Sequence, residues 1–210
     1  IVVRLVGSEM CIRDSDKRIP LISATGSSRM GQIVGATVAS RFGKSLLELG
    51  GNNAIIITPT ADLKIVVPGA VFGAVGTCGQ RCTSTRRLII HESVYDIVKN
   101  SIVSAYQQIK IGNPLDENNH VGPLIDKDAV RMYQDALTKV VEEGGKVLVD
   151  GGVLKGSGYE SGCYVKPAIA EAKNDFAIVQ HETFAPILYL IKYSGAVSYT
   201  HLRAHETDYY

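Results

Sequence analysis

The chain has 210 residues, of which 45% are hydrophobic, and its formal net charge at pH 7 is +1. This composition is ordinary for a globular protein of one large or two small domains. The near-neutral charge gives no electrostatic reason to expect nucleic acid or an anionic membrane as partner. The longest apolar stretch, 65–75, contains Pro68, Gly69 and Gly73 and is shorter than the ~20 residues that cross a bilayer. We expect neither kind of partner.

The cysteines indicate the compartment. Cys11, Cys78, Cys82 and Cys163 are too few and too scattered for a disulfide framework. We therefore expect free thiols in a reducing compartment, the cytoplasm or, in a eukaryote, the mitochondrial matrix. His91 lies near Cys78, but a second close-spaced ligand pair is missing, so no metal site is predicted.

The two ends of the chain are unusual. Residues 1–15 begin without Met, and both this stretch and residues 195–210 resemble translated adapter or vector sequence. The alternative is a genuine terminal extension. Segments introduced by cloning do not inform the fold, so the interpretation is confined to residues 16–194.

The predicted elements begin with a strand over 19–24, a glycine turn and a helix over 27–42. A buried strand over 53–58 then completes a β-α-β unit spanning 19–58. Asp62 can cap a helical turn, and Pro68 is predicted in the first turn of a helix that continues through Val75. Ser93 is predicted to cap a helix that ends near Lys110, and a further helix spans 126–143. Strands are predicted over 87–91, 146–149, 164–169 and 187–191. This alternation predicts the α/β class with a largely parallel sheet.

Two residues indicate chemistry. Cys82 lies in a loop of small and polar residues, and Glu48 precedes two glycines in a position without an obvious packing purpose. A thiol and a carboxylate brought together by folding can act as nucleophile and general base. A partly desolvated Glu can deprotonate water near neutral pH. A buried packing cysteine and a salt-bridged strand end are the alternatives.

Other residues near these two could bind ligands. Gly26 and Ser27, at a strand-to-helix turn, could direct backbone N–H groups at a phosphate, although most such turns are structural. The Cys82 N–H could stabilise an oxyanion. Arg81 could hold a substrate carboxylate bidentately, or its stem could pack against the loop. Both interpretations of Arg81 stay open.

Four segments resemble known motifs. Residues 48–53 (Glu-Leu-Gly-Gly-Asn-Asn) and 79–83 (Gly-Gln-Arg-Cys-Thr) resemble the two active-site signatures of the NAD(P)-dependent aldehyde dehydrogenases. Residues 24–27 (Ala-Thr-Gly-Ser) resemble that family's Phe-Thr-Gly-Ser turn, and residues 182–186 (Glu-Thr-Phe-Ala-Pro) its Glu-x-Phe-x-Pro motif. The likeness is greatest to the antiquitin branch, which oxidises α-aminoadipic semialdehyde, the open form of piperideine-6-carboxylate, in lysine catabolism.

The resemblance implies a domain organisation. Residues 16–47 would form the end of a Rossmann-like NAD domain and residues 48–194 most of the parallel-sheet catalytic domain, with adapter tails on either side. Cofactor-holding residues and the family's oxyanion Asn would lie outside the chain. We therefore expect the isolated chain to bind NAD poorly and to have little activity. The full-length parent is expected to be a homotetramer.

The resemblance also implies residue roles. Cys82 would attack the aldehyde and Glu48 would activate water, with NAD as cofactor and NADP as the alternative. Arg81 and Thr83 would contact a small aldehyde substrate. The cofactor would be bound by Gly26, Ser27, Leu49, Glu182, which would hold the nicotinamide ribose hydroxyls, and Phe184, which would line the nicotinamide site.

Three other functions remain open. A general aldehyde dehydrogenase of broad specificity would share every motif. A non-catalytic structural relative would not need to keep both Cys82 and Glu48. A thiol hydrolase would need a histidine partner for its cysteine, and no motif nominates His91, His120 or His181.

Overall fold

The structure, a computed structural model, describes residues 12–195, which divide into two units between Gly51 and Asn52. Most of the predicted adapter tails, residues 1–11 and 196–210, lie outside the described residues. Residues 12–15 form a helical turn in which Asp14 is buried. The Nε of Arg41 donates to the Asp14 carbonyl at 2.7 Å, so this turn is attached to the first unit.

The first unit is a small β-α-β element. Strand β1 (Leu21–Thr25) pairs in parallel with β2 (Lys44–Glu48), and helix α1 (Ser28–Ser40) connects them. The Ser27 hydroxyl caps the helix by accepting the Met30 N–H at 3.1 Å. The predicted unit over 19–58 is wrong in its second strand. Only three residues separate α1 from β2, so the chain returns beside β1 at once, and the strand predicted over 53–58 belongs to the second unit.

The second unit is built on a five-stranded sheet, and its strands confirm the α/β class. In the order β3-β4-β9-β8-β5, each neighbouring pair is parallel except β5 with β8, which is antiparallel. A separate antiparallel pair is formed by β6 and β7. Proline cannot donate to a strand ladder, and Pro167 splits the strand predicted over 164–169. The strands are β3 (Ala54–Ile57), β4 (Arg87–His91), β5 (Lys146–Val149), β6 (Gly152–Val153), β7 (Val165–Lys166), β8 (Ala168–Glu171) and β9 (Ile187–Tyr193).

Two helices of this unit begin at residues other than those predicted. Asp62 caps α2 by accepting the Lys64 N–H at 2.9 Å, so the helix begins before Pro68, which lies in its second turn and not its first. Ser93 is not a helix cap, because its hydroxyl bonds the His91 ring at 2.8 Å. Within residues 12–195, no helix combines the length and apolarity of a membrane span. The helices are α2 (Leu63–Val75), α3 (Tyr95–Tyr106, shorter than predicted), α4 (Lys127–Glu142) and α5 (Ala177–Gln180), with 3-10 turns at Gly76–Gly79 and Glu92–Val94.

The central strands β4 and β9 form the core of the second unit. Their apolar side chains are buried on both faces, as expected for inner strands of a parallel sheet covered by helices. In the ladder Ala54 lies opposite Arg87, and Arg87 lies opposite Tyr189. The amino ends of β3, β4 and β9 therefore meet at one edge of the sheet. The segments that precede these strands are brought together there.

Helix α4 gives a direct test of local stability. Asp126 caps it by accepting the Ala129 N–H at 2.8 Å, whereas exposed Asp128 in its first turn pairs only with Arg131. We expect Asp126→Ala to lower the free energy of unfolding by about 1 kcal/mol in urea titrations. Asp128→Ala is the control for charge at the helix end and should cost about 0.3 kcal/mol. Equal losses would contradict a specific role for the cap.

Candidate active site

Cys82 lies at the tip of a tight turn. The Ser84 N–H donates to the Arg81 carbonyl at 3.1 Å, and the Arg81 N–H donates to the Ser84 hydroxyl at 3.1 Å, so the two ends of the turn are joined. Cys82 and Thr83 are the exposed central residues. Among residues 12–195, the structure shows no acceptor for the Cys82 N–H. The turn therefore presents both a thiol and a donor to a ligand.

The segment before this turn has an uncommon backbone. Thr77, Cys78 and Gly79 adopt positive φ angles of 53°, 54° and 66°, which places three successive residues in the left-handed region. Such a conformation costs about 1–3 kcal/mol for a residue other than glycine and persists only when the surroundings fix it. The Arg81 Nε donates to the Thr77 hydroxyl at 2.8 Å. The Gln80 side chain accepts from the Ile125 N–H at 2.9 Å.

Gly79 connects the Cys82 turn to residues 182–186. A Cβ at this position would lie 2.5 Å from the Ala185 carbonyl oxygen and 2.7 Å from the Pro186 nitrogen. Both atoms belong to the backbone, so they cannot rotate away. The second and fourth sequence motifs therefore touch at a point where only glycine fits.

Arg86 holds the same two segments with its guanidinium. Nη1 donates to the carbonyls of Gly79 at 3.1 Å and Thr183 at 3.0 Å. Nη2 donates to the Arg81 carbonyl at 3.1 Å and to Oε1 of Glu182 at 3.2 Å. The guanidinium lies 5.2 Å from the Phe184 ring centroid. Burial lowers the pKa of Arg86, and the negative charges of Glu182 and Cys82 oppose that shift.

Asn53 of the first motif fixes the other side of the turn, and Asn52 beside it contacts other segments. Asn53 Nδ2 donates to the Cys82 carbonyl at 2.6 Å and to the Ser84 carbonyl at 3.2 Å. Asn52 accepts from Arg87 through its own carbonyl, and its side-chain amide donates to the Val179 carbonyl. The motif at 48–53 thus positions the cysteine through its last residue, Asn53.

A cavity of about 550 Å³ lies next to the turn. Its walls are mostly apolar, from α2 and α3, and Arg81, Thr77 and His120 add polar groups. The Arg81 guanidinium lies 5.3 Å from the centroid of the Phe72 ring. Arg81 therefore both stabilises the loop and faces a cavity that could receive an aliphatic ligand.

The described cysteines differ in reactivity. Cys78 is buried, and burial raises its pKa to about 12, whereas Cys82 is exposed and Cys163 is half-buried. A buried thiol that stays protonated is a packing residue. In the part of the chain that the structure describes, no three His, Cys, Asp or Glu residues are grouped to hold a metal ion.

The first unit brings together its own motif residues. The Gly26 N–H donates to the Glu48 carbonyl at 3.0 Å, so the glycine turn and Glu48 meet at the carboxyl ends of β1 and β2, where α/β sheets commonly bind ligands. Leu49 packs against α1 at Gly31, where a Cβ would lie 2.5 Å from its methyl groups. The Glu48 side chain is exposed.

The amino end of α1 can bind an anion. Among the described residues, the N–H groups of Ser28 and Arg29 have no acceptor, since only the following two amides bond back to Ser27. Free amides and the helix dipole together favour a phosphate at such an end. Gly26 and Ser27 are exposed there, as a ligand site requires.

The structure therefore brings Cys82, Arg81, Thr83, Glu182 and Phe184 to one edge of the second unit, and Gly26, Ser27, Glu48 and Leu49 to one end of the first. The pairing of Glu48 with Cys82 stays a prediction. Sequence reasoning missed Arg86, Asn53 and Gln80. Two successive arginines before a strand buried on both faces were the available signal, because charged side chains are buried only when they are paired.

The sequence matches the aldehyde dehydrogenase family over residues 4–202, and the chain belongs to that family. It is 52% identical over 182 residues to a putative aldehyde dehydrogenase family 7 member A1 homolog of Caenorhabditis elegans, which covers 85% of the chain and 34% of that protein. It is 51% identical to the α-aminoadipic semialdehyde dehydrogenase of Bos taurus, with 86% and 33% covered. The chain spans about a third of the length of these relatives.

Solved structures show the same fold. Betaine aldehyde dehydrogenase from Staphylococcus aureus, in complex with NAD+, superposes with a TM-score of 0.87 at 24% identity, over 91% of this chain and 38% of the other. An NADP-dependent enzyme of E. coli has a TM-score of 0.87 at 27% identity, over 93% and 40%. The fold is that of part of an aldehyde dehydrogenase.

The contact at Gly79 can be tested by adding a methyl group. Gly79→Ala combines a positive φ with a backbone clash, so we expect a loss of about 3 kcal/mol in the free energy of unfolding. Gly162→Ala is the matched control, since its φ is 68° but the nearest atom to its Cβ is 3.9 Å away. It should lose about 1 kcal/mol. Equal losses would show that the close approach to Ala185 is unimportant.

Alkylation should separate the two neighbouring cysteines. Because burial raises the pKa of Cys78 to about 12, its thiol stays protonated at every pH below that value. The thiolate is the nucleophile, so iodoacetamide at pH 8 should modify Cys82 about 100-fold faster than Cys78. Peptide mass spectrometry measures both rates. Comparable rates would mean that Cys78 is accessible in solution.

Proposed function

We propose that the protein containing this chain oxidises an aldehyde to a carboxylic acid, with α-aminoadipic semialdehyde of lysine catabolism as substrate. The observation that carries the proposal is the exposed Cys82 thiol on a turn clamped by Asn53 and Arg86. Relatives with half of their matched residues identical bear the name α-aminoadipic semialdehyde dehydrogenase, which supports the substrate. A homotetramer in the cytoplasm or mitochondrial matrix remains the prediction for the complete protein.

The first step is addition of Cys82 to the aldehyde. The thiolate sulfur forms a bond to the carbonyl carbon, and the carbonyl electron pair moves to oxygen, which gives a thiohemiacetal oxyanion. The unpartnered Cys82 N–H can donate to this oxygen. Because Asn53 holds the Cys82 carbonyl and Ser84 closes the turn, the direction of the Cys82 N–H is fixed. Covalent attachment divides the oxidation into two easier reactions.

Loss of hydride from the thiohemiacetal carbon leaves a thioester on Cys82. NAD, with NADP as the alternative, supplies the hydride acceptor when it is bound. Glu48 then takes a proton from water, the resulting hydroxide attacks the thioester carbon, and the carbon–sulfur bond breaks to release the acid and the thiolate. The exposed position of Glu48 at the end of β2 is compatible with a base that meets water.

Each unit presents residues that fit part of a dinucleotide. The free amides of Ser28 and Arg29, next to Gly26 and Ser27, can hold a pyrophosphate. Glu182 can accept hydrogen bonds from ribose hydroxyls, since its side chain is 23% exposed while Arg86 fixes one oxygen. Phe184 presents an aromatic surface that is 37% exposed. Leu49 follows Glu48 and packs on α1 near the turn.

The cavity next to Cys82 supports the semialdehyde. Its apolar walls suit an aliphatic chain, and Arg81, at its border, can pair with the substrate carboxylate. Thr83, at the exposed tip beside Cys82, adds a hydroxyl within the same turn. An aldehyde without a carboxylate would contact the apolar walls but would form no ion pair with the Arg81 guanidinium.

The mechanism predicts a trapped intermediate. In the complete protein, Glu48→Gln should lower kcat about 100-fold because water loses its base, and a thioester on Cys82 should accumulate with aldehyde and NAD. Intact-mass and peptide analysis measures the adduct. Cys82→Ala should give neither adduct nor NADH, while Cys163→Ala, in a separate turn, should behave as the parent. An adduct absent from Glu48→Gln, or an active Cys82→Ala, would contradict the mechanism.

Substrate choice can be tested at Arg81. Removing one charged hydrogen-bond partner should lower kcat/KM for α-aminoadipic semialdehyde about 30-fold in Arg81→Met. Hexanal lacks the carboxylate, so its kcat/KM should change less than about threefold. Equal losses would support the alternative in which Arg81 only stabilises the loop. A parent protein that prefers hexanal would support broad specificity.

A further inference from the structure

Arg86 lies between the nucleophile and the carboxylate proposed to bind the cofactor. Its side chain is 3% exposed, and its two terminal nitrogens donate to four oxygens within 3.2 Å. Two of these oxygens belong to the Cys82 loop, at Gly79 and Arg81. The other two belong to Glu182 and Thr183. A single buried cation thus connects two segments that are about a hundred residues apart in sequence.

The backbone of Arg86 is equally fixed. Its N–H donates to the Asn53 carbonyl at 3.0 Å, and its carbonyl accepts from the Tyr189 N–H at 2.8 Å. These bonds extend the ladders of β3, β4 and β9 by one residue at the edge of the sheet. The Arg86 side chain therefore extends from backbone that the sheet holds rigidly. Such rigidity is the condition for accurate positioning of a site.

Two acidic groups, the Glu182 carboxyl and the Cys82 thiol, lie on the segments that Arg86 bonds. Glu182 accepts one of its hydrogen bonds, and Cys82 directly follows the Arg81 carbonyl that accepts another. Charges of opposite sign attract strongly where water is excluded. Burial lowers the pKa of Arg86, and Glu182, Tyr189 and Cys82, in decreasing order, oppose that shift.

We propose that Arg86 is a positioning residue whose one buried charge is shared by Glu182 and the Cys82 thiolate, so that a change at Glu182 alters the reactivity of Cys82. This inference rests on the proposed function for the roles of those two residues. When a ligand donates hydrogen bonds to Glu182, the carboxylate offsets less of the positive potential that Arg86 exerts at Cys82. The Cys82 thiolate is then more strongly stabilised. Cofactor binding would in this way prepare the nucleophile.

The experiment measures the rate of Cys82 alkylation by iodoacetamide at pH 7, in the complete protein without aldehyde or NAD. Glu182→Gln should raise the rate about threefold, because the cation is no longer shared. Arg86→Gln should lower the rate about tenfold. In the double variant, Glu182→Gln should have an effect of less than about 1.5-fold, since Arg86 no longer holds residue 182 beside the Cys82 loop.

Arg87→Gln is the matched control. Arg87 is also buried and its guanidinium bonds the Asn52 carbonyl and the Asn174 side chain, so its loss removes comparable hydrogen bonds from the neighbouring residue. It should lower thermal stability, and the alkylation rate of the folded protein should stay within about twofold. A tenfold fall in this variant would overturn the proposal, because the effect at Arg86 would then be structural.

Two further results would overturn the proposal: an unchanged rate in Glu182→Gln, or an equal acceleration by Glu182→Gln with and without Arg86. If Arg86→Gln does not fold, the single variant Glu182→Gln still decides, because Glu182 is partly exposed and its substitution preserves shape. Failure of the proposed function is seen separately, as a parent protein that makes no NADH from aldehydes. Alkylation needs neither substrate nor turnover.

Discussion

A buried positive charge must have partners, and in the second unit that requirement organises the residues around Cys82. Arg86 is 2% exposed, and an unpaired guanidinium at such a depth would be strongly destabilising. Its hydrogen bonds are satisfied only when the Cys82 loop and residues 182–183 present their carbonyls at the same place. Because the buried guanidinium needs hydrogen-bond acceptors, the backbone carbonyls around it are held in fixed positions. Positioning and stability have the same physical origin here.

The parallel sheet makes that arrangement possible. Asn53, Arg86 and Pro186 each directly precede a strand, and those strands are neighbours in register. Three segments that are distant in sequence therefore arrive at one edge of the sheet. This is the amino edge of the sheet, whereas ligands in open α/β sheets usually bind beyond the carboxyl ends. The first unit follows the usual rule, since its glycine turn and Glu48 lie at the carboxyl ends of β1 and β2.

Much of this could be predicted from local sequence. The alternation of strands and helices gave the α/β class, and the Asp126 cap and the glycines after α4 fixed the bounds of that helix to within about one residue. The motif at 79–83 located the thiol. These features depend on neighbours in sequence, so single-sequence reasoning detects them.

The remaining features depend on neighbours in space. The second strand of the first unit was misplaced because Ile55–Ile57 are more apolar than the exposed β2, although the short loop after α1 decided the pairing. Pro68 was assigned to a first turn because proline favours that position, while the Asp62 cap started the helix earlier. The role of Arg86 could not be predicted, since its partners at 182–183 become neighbours only when β9 pairs with β4.

The position of β9 has a consequence for the order of assembly. This strand lies between β4 and β8 in the sheet, yet it is formed by residues 187–193, after every other strand that the structure describes. Contacts of such long sequence separation are slow to form, because their loop-closure entropy must be overcome first. During synthesis the nucleophile loop is therefore complete long before residues 182–186, which contact Gly79 and Arg86, have been made. We therefore expect the left-handed turn at Thr77–Gly79 to become fixed late in folding, when β9 enters the centre of the sheet.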